Sequence, residues 1–267
     1  KNPGDDGPAP KYLNTSSTAL FAKAELLYGL TPEAIQRLND GATPVLGEGA
    51  LDAEAIASLG QDWVGLATCG TALTPSHLAT LEAVAPGSVN RIVTAFDPDA
   101  AGRKATARTW ELLPDAATHH VRSALLPHGC DPAKLIEDGD GALLAASLGA
   151  AAPLRTELIH QALRNQSLSS IEQALSLARH VCHFAARDGA LADPKVAGEV
   201  MTLLAQQLTY TDHNDTPHNL DPVTLADLLL TARDRHSNPT GEADETFHID
   251  AEHLAVTYPL AAAGITL

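Results

Sequence analysis

The sequence predicts an α/β protein in which a parallel sheet is flanked by helices and followed by an α-helical bundle subdomain. Between residues 44 and 126, short apolar segments alternate with segments in which apolar residues recur at helical spacing. Parallel strands that are buried on both faces give such continuous apolar segments, and they need helical crossovers between them. After residue 143 the strand signal fades and helical spacing dominates, which indicates the bundle.

Each expected element has its own local signal. Strands are expected at residues 44–46, 63–68, 92–96 and 121–126, with helices at residues 52–59, 75–84 and 100–113. Thr31 and Pro32 predict an N-cap followed by proline in the first turn of a helix that runs to about Asp40. A short helix is expected to end near Gly29, because glycine commonly follows the last helical residue.

The second half of the chain is expected to pack on the sheet as helices, at residues 153–165, 170–187, 193–208 and 222–235, with a polar loop at residues 212–219. The predicted organisation is a leading segment (1–40), a sheet domain (41–150), a helical subdomain (151–235) and a linker or flexible tail (236–267).

Composition restricts the class of protein. The chain has 267 residues, of which 45% are hydrophobic and 19% are charged, and these values are typical of a soluble globular protein. We expect a cytoplasmic protein without membrane contact, because no long apolar segment and no secretory leader is visible. The chain begins at Lys1 rather than at methionine, which is consistent with a piece of a longer protein.

The cysteine usage also favours a reducing compartment. Cys69, Cys130 and Cys182 form no paired motif and are odd in number, so a disulfide framework is not expected. A zinc site that combines Cys182 with His180 and His183 is conceivable, but the spacing lacks a second cysteine pair. Two histidines on a helix surface are the simpler interpretation.

The net charge of −16 argues against a protein whose whole surface binds nucleic acid, because such binding requires positive charges that neutralise phosphates. A local basic groove, with metal ions bridging carboxylates and phosphates, remains compatible with this charge.

Carboxylates follow the ends of several predicted strands. Glu48 and Asp97 each come directly after an apolar segment. Because the carboxyl ends of parallel strands meet at one edge of a sheet, we expect these acids to converge. Carboxylate oxygens are ligands that Mg²⁺ prefers, so the pattern indicates phosphoryl-transfer chemistry. The predicted metal ligands are Glu48, Asp52, Asp97, Asp99 and Asp131, and the predicted catalytic residues are Glu48, Asp97 and Asp99.

Simpler interpretations exist for some of these acids. Asp99 precedes a helix and could act as its cap, and Asp52 could be an acid in the first turn of a helix. Asp131 precedes a proline and could also be an N-cap. Arg103 and Lys104 lie one helical turn beyond Asp99, where they could contact phosphate, balance the acids or only cover the surface.

Five short motifs occur in one order along residues 11–149. They are Lys11 to Asn14, Glu48 with Gly49 and Asp52, Gly70 to Thr74, Asp97 to Arg103, and Leu126 to Pro132. Together they resemble the catalytic core of the bacterial DnaG-type primases, specifically its Toprim domain and flanking parts. Ala133 departs from the pattern, because primases often carry a further acid there. The zinc-binding domain of these primases and much of their basic subdomain have no counterpart among the 267 residues of this sequence.

The resemblance implies a function and a set of roles. It implies divalent-metal-dependent nucleotidyl transfer, with Mg²⁺ or Mn²⁺ as cofactor and with a single-stranded DNA template and nucleoside triphosphates as partners. Glu48 would bind metal or act as general base. Lys11 and Lys23, with Asn14 nearby, would contact the template backbone or the triphosphate, and Arg103 and Lys104 are further candidates for these contacts.

Two other functions stay open. The same acids could cut nucleic acid, as in Toprim nucleases. Alternatively, the helical region after Gly149 is similar to primase-like Toprim regions of relaxases or replication proteins of actinobacterial mobile elements. In that case the chain would be an accessory module in conjugation that binds DNA or a partner without turnover. A helicase or relaxosome partner would dock on the helical region.

Overall fold

A five-stranded sheet organises the molecule. The computed structural model describes residues 25–69, 72–164 and 166–237. The strands are β1 (Thr43–Gly47), β2 (Trp63–Ala67), β3 (Val93–Thr94), β4 (Arg122–Ser123) and β5 (Ala152–Pro153). Their order is β2-β1-β3-β4-β5; the first four are parallel, and β5 pairs antiparallel with β4 at the edge. The predicted α/β class is confirmed, with an antiparallel edge strand added.

Helices connect the strands and cover both faces of the sheet. They are α1 (Pro32–Asn39), α2 (Ala50–Ala57), α3 (Pro75–Val84), α4 (Ala100–Leu112), α5 (Asp115–Thr118), α6 (Pro132–Glu137) and α7 (Gly141–Gly149). Capping side chains determine where several of these helices begin. Thr31 accepts the N–H of Ala34, as predicted, and Thr74 accepts the N–H of His77.

Alternating side chains of the strands enter two separate cores. Val45 and Val93 lie opposite each other on β1 and β3 and pack with side chains of α2, α6 and α7. The next residue of β1, Leu46, belongs to the larger core on the other face, which includes α1, α3, α4 and the helices of the second half. This period of two is the reason that the strands read as continuous apolar segments.

The second half is helical. It contains α8 (Leu154–Leu163), α9 (Ile171–Ala185), α10 (Pro194–Gln207) and α11 (Pro222–Ser237). Helix α8 follows β5 directly and packs against α4, which brings the helical half close to the sheet. Among the described residues, no helix combines the length and apolar character that crossing a membrane requires.

Three local features differ from the sequence prediction. Leu26–Gly29 are not helical; instead Tyr28 forms an antiparallel bridge with Ala67 of β2. Gly29 makes this possible with a φ of +86°, because a Cβ there would lie 2.2 Å from the carbonyl oxygen of Gly65. Strands β3 and β4 are two residues long and therefore shorter than expected.

The third difference is a hairpin where a polar loop was expected. Its strands are β6 (Thr209–Thr211) and β7 (Pro217–Asn219). The Asp212 carboxylate closes the turn by accepting the N–H groups of Asn214 (2.8 Å) and Thr216 (3.0 Å). The tail was expected at residues 236–267, but His236 and Ser237 belong to α11. Residues 238–267 and most of the leading segment lie outside the described residues.

Candidate active site

Glu48 and Asp97 meet at the carboxyl edge of the sheet. Glu48 follows β1, and Asp97 follows the neighbouring strand β3 after a short extended stretch. The carboxylate of Glu48 accepts the backbone N–H of Asp97 at 3.3 Å. Two acids that are 49 positions apart are therefore adjacent, which is the convergence that a parallel sheet predicts.

The pKa of the Glu48 carboxyl reflects the closeness of the other acids. Burial raises the pKa of the Glu48 carboxyl, and the negative charge of Asp97 raises it further. The hydrogen bond from Asp97 N–H lowers the pKa in part, and the charges of Asp99 and Asp52 add smaller upward shifts. A cation placed among these acids would reverse the repulsion, because it favours every ionised form.

Asp99 caps helix α4. Its carboxylate accepts the N–H of Gly102 at 2.9 Å, and its side chain is exposed to solvent. Gly102 lies against the backbone of Asp97, since a Cβ on Gly102 would be 1.9 Å from the carbonyl oxygen of Asp97. The N-terminus of α4 therefore abuts the loop that carries Asp97, and its free N–H groups and dipole favour negative charge nearby.

Asp52 is a buried structural acid. One of its carboxylate oxygens accepts the N–H of Gly49 at 2.8 Å, and the other accepts the N–H of Ala133 at 3.4 Å. Only 7% of the residue is exposed. These bonds give Asp52 a position in the fold that does not require a metal, and its role as a metal ligand stays a prediction.

Asp131 is the N-cap of helix α6. It accepts the N–H of Lys134 at 2.5 Å and is partly buried. The contact between Asp52 and Ala133 places this loop next to the start of α2, so Asp131 belongs to the same region of the sheet edge.

The donor set fits a divalent cation that is shared with phosphate. Within residues 25–69, 72–164 and 166–237, no group of three or more His, Cys, Asp or Glu is arranged as a complete metal cage. The Glu48 carboxylate nevertheless lies at the backbone of Asp97 and feels the charge of the Asp97 carboxylate, so two hard oxygen donors occur in one region. Mg²⁺ is commonly held by one or two carboxylates, with water and substrate phosphates completing its shell. The two acids suit that kind of site.

The basic candidates divide into two groups. Arg103 and Lys104 are exposed on α4, and Arg103 lines a small cavity together with Asp97. Lys11, Asn14 and Lys23 lie outside the described residues, as do Gly70 and Thr71. The alternative zinc site receives no support in the described part of the chain: Cys182 is buried in the core, whereas His183 is exposed.

Helix α8 contributes site residues that the sequence did not single out. Glu157, Gln161 and Arg164 line the same cavity as Asp97 and Arg103. Glu157 and Gln161 are four positions apart and so lie on one face of the helix, and Arg164 directly follows its last residue. Glu157 is buried, with 3% of its surface exposed. An acid among the apolar residues of α8 was the available signal, but only the tertiary packing of α8 brings it to the sheet edge.

Comparison with known proteins identifies the class of domain. Residues 45–136 match the family model described as Toprim-like, and this segment includes Glu48, Asp52, Asp97, Asp99 and Asp131. The chain therefore contains a Toprim-like domain.

The proteins of similar sequence are DNA primases. The chain is 41% identical to a DNA primase of Deinococcus radiodurans over 143 residues, which cover 54% of this chain and 24% of the relative. It is 36% identical to a DNA primase of Pseudomonas aeruginosa over 178 residues, covering 66% and 26% of the two chains. The segment that contains the Toprim-like domain is thus homologous to DNA primases of the DnaG type, and the chain spans about a quarter of the length of these relatives.

Solved structures of primase domains are similar to this chain as well. The RNA polymerase domain of Mycobacterium tuberculosis primase DnaG matches with a TM-score of 0.59 and 26% identity, over 76% of this chain and 62% of that one. A DNA primase domain from Pseudomonas aeruginosa matches with a TM-score of 0.53 and 28% identity, over 94% and 65%. These relatives are primases, so they give no support to the interpretation as a conjugative relaxase or mobile-element module.

Proposed function

We propose that this chain performs divalent-metal-dependent nucleotidyl transfer, as the part of a DnaG-type primase that synthesises primers on a DNA template. The observation that carries the proposal is the contact between Glu48 and the Asp97 backbone, which joins two acids at neighbouring strand ends. The primase relatives support the same reaction class. A cytoplasmic location is part of the proposal.

The carboxylates would have two roles, which are to bind the cation and to accept a proton. Glu48 and Asp97 would hold Mg²⁺ or Mn²⁺ together with the triphosphate, with Asp99, Asp52 or Asp131 as further ligands. Bound there, the cation would neutralise the charge that develops during phosphoryl transfer. Glu48, whose pKa is raised by burial and by Asp97, is suited to accept a proton from the attacking 3′-hydroxyl.

Positive groups would position the substrates. The N-terminus of α4 adjoins the Asp97 loop, and Arg103 and Lys104 lie on the same helix, so they are our candidates for contacts with phosphate. Lys11, Lys23 and Asn14 would contact the template or the triphosphate. A Mycobacterium tuberculosis primase DnaG domain was solved in complex with double-stranded DNA, which supports DNA as a partner (TM-score 0.57, 26% identity). We also propose that a helicase would dock on the helical region.

The test is a primer-synthesis assay with a single-stranded DNA template, labelled nucleoside triphosphates and Mg²⁺ or Mn²⁺. Asp97→Asn and Glu48→Gln should each lower synthesis by about 100-fold or more, because each removes charge where the cation would bind. Asp227→Asn is the matched control, since Asp227 is exposed on α11. Circular dichroism should show that all variants fold.

Other outcomes identify the rival functions. Cutting of labelled DNA without triphosphates would favour a nuclease. Binding of metal or nucleotide without turnover, by the unchanged full-length protein, would favour an accessory module. Normal synthesis by folded Asp97→Asn protein would refute the proposed role of the acids.

A further inference from the structure

Helix α8 brings an arginine of the helical half to the candidate site. The helix ends at Leu163, and Arg164 directly follows it. Arg164 lines the small cavity that is also lined by Asp97 and by Arg103 of α4. Both halves of the molecule therefore form the walls of this cavity, and the helical half contributes a positive charge to it.

The two arginines of the cavity are not occupied by contacts within the fold. Among the described residues, neither Arg103 nor Arg164 forms a hydrogen bond or an ion pair, and both side chains are exposed. Arg187, by contrast, donates to the carbonyl oxygens of Trp110 and Leu113. The guanidinium donors of Arg103 and Arg164 are thus available to a ligand.

Two acids line the same cavity, but they do not pair with the arginines. Glu157 is buried, with 3% of its surface exposed, and it accepts its hydrogen bond from Gln161 at 3.1 Å. Asp97 lies at the sheet edge, where the proposed function assigns its carboxylate to a cation. With the charge of Asp97 used in that way, the exposed arginines favour an anion beside it.

We propose that Arg164, together with Arg103, holds a phosphate group next to the proposed metal site. This inference rests on the proposed function, because it adds a phosphate-binding residue from the helical half to the same site. A guanidinium presents N–H donors in a fixed plane that match two oxygens of one phosphate, and it stays charged at neutral pH. The phosphate would belong to the DNA backbone or to the nucleoside triphosphate, which share this chemistry.

The size of the cavity and the charge of the chain agree with this assignment. Small-molecule pockets usually have several hundred Å³, whereas this cavity has about 70 Å³, so it would receive a single group rather than a whole nucleotide. The chain has 17 Lys and Arg residues against 33 Asp and Glu residues. In so acidic a protein a polyanion is repelled by much of the surface, and a cavity with two available arginines is a favourable place for it.

The first experiment measures the binding of single-stranded DNA to the full-length protein by fluorescence anisotropy, in EDTA and at several salt concentrations. Each neutralised phosphate of a single strand contributes about 0.7 to the slope of log affinity against log salt concentration. If Arg164 holds a backbone phosphate, Arg164→Gln should lower the affinity about three- to tenfold at low salt and reduce the slope by about 0.7. Arg164→Lys keeps the charge and should retain the slope.

The second experiment measures the binding of ATP in Mg²⁺ by calorimetry. If the phosphate belongs to the triphosphate, Arg164→Gln should lower the affinity for ATP about three- to tenfold and leave the binding of DNA unchanged. A loss in either experiment supports the inference and identifies the source of the phosphate.

Arg179→Gln is the matched control. Arg179 on α9 is also exposed and forms no hydrogen bond or ion pair with other described residues, so its removal changes the net charge equally. Losses of the same size for Arg164→Gln and Arg179→Gln would reflect net charge alone and would overturn the inference. Unchanged affinities for both DNA and ATP in Arg164→Gln protein, with folding verified by circular dichroism, would also overturn it.

The outcomes separate this inference from the proposed function. Unchanged affinities in Arg164→Gln protein, together with primer synthesis that depends on Asp97, would remove the phosphate site and leave the proposed function intact. Failure of the unchanged protein to bind either DNA or ATP would contradict both proposals.

Discussion

The carboxylate of Asp52 connects the first acidic segment to the last one, because it accepts the N–H of Ala133 at 3.4 Å while it also accepts the N–H of Gly49 at 2.8 Å. The two segments are 81 positions apart. Ala133 departs from the primase pattern at its side chain, yet its backbone is what meets Asp52. The start of α2 and the start of α6 are thereby tied together beneath the candidate site.

Asp52→Ala should lower the free energy of unfolding by about 2 kcal/mol. The change leaves the N–H groups of Gly49 and Ala133 without their acceptor in a partly buried place, and a buried unsatisfied donor costs about 1–3 kcal/mol. Urea unfolding followed by circular dichroism measures this. Glu137→Ala, at an exposed position of α6, should change stability by less than about 0.5 kcal/mol. Equal stability of both variants would contradict the structural role of Asp52.

Gly102→Ala and Gly198→Ala should have opposite effects. A Cβ at Gly102 would lie 1.9 Å from the carbonyl oxygen of Asp97, whereas nothing lies within 4 Å of a Cβ at Gly198 in α10. We expect Gly102→Ala to destabilise by about 1–3 kcal/mol and to impair primer synthesis, because the Asp97 loop must shift. Gly198→Ala should stabilise by about 0.5–1 kcal/mol through its better helix propensity. Chemical unfolding of both variants measures these changes in stability. If Gly102→Ala left stability and primer synthesis unchanged, the close contact between Gly102 and the Asp97 carbonyl would be disproved.

Two arginines flank the ring of Trp110, and their removal should not be equivalent. Each guanidinium lies 5.2 Å from the ring centroid. Arg187 donates to the carbonyl oxygens of Trp110 (2.8 Å) and Leu113 (3.0 Å), but the buried Arg155 leaves Nε and Nη2 without partners among the described residues. Arg187→Met should therefore cost about 2 kcal/mol of stability, and Arg155→Met should be neutral or stabilising.

Thermal and urea unfolding of the two methionine variants provide the comparison. A loss for Arg155→Met as large as the loss for Arg187→Met would show that the Arg155 guanidinium is satisfied in solution.

Because of the buried Cys182 thiol, the free energy of unfolding should fall as the pH rises into the alkaline range. Burial raises the pKa of its thiol from 9.0 to about 12. Because the folded-state pKa is the higher one, the stabilisation is complete below about pH 9 and is lost as the pH rises toward 12. In this window the difference in unfolding free energy between the unchanged protein and Cys182→Ala should shrink by about 1.4 kcal/mol per pH unit. Urea titrations at pH 8, 9, 10 and 11 measure it, and a difference that does not vary with pH would refute the shift.

Much of the sheet could be predicted from local sequence, because β1, β2 and β3 lie in apolar segments and several helices have their own start signals. Thr31 and Thr74, for example, cap α1 and α3. The pairing of Tyr28 with Ala67 could not be predicted, since it depends on the close approach of Gly29 to Gly65. The antiparallel strand β5 was also missed, because two residues give no periodicity.

At the site, the convergence of Glu48 and Asp97 followed from topology alone. Asp99 and Asp131 accept N–H groups at helix starts, as their interpretation as caps predicted. The hydrogen bond from Ala133 to Asp52 could not be predicted, because it depends on how α6 packs against α2. Glu157 was missed for the same kind of reason. Its meeting with Asp97 depends on how α8 packs, and a sequence pattern holds no information on such a distance.

The pairing of Tyr28 with Ala67 also bears on how molecules of this protein meet one another. Tyr28 and Ala67 exchange two backbone hydrogen bonds, of 2.8 and 3.1 Å, along the outer side of β2, and at the opposite border β5 runs against the direction of β4. Bare strand borders invite a neighbouring molecule to add its own strand. Here Tyr28 covers the end of β2, and the opposite border is a strand of only two residues, so both borders offer little backbone to an added strand.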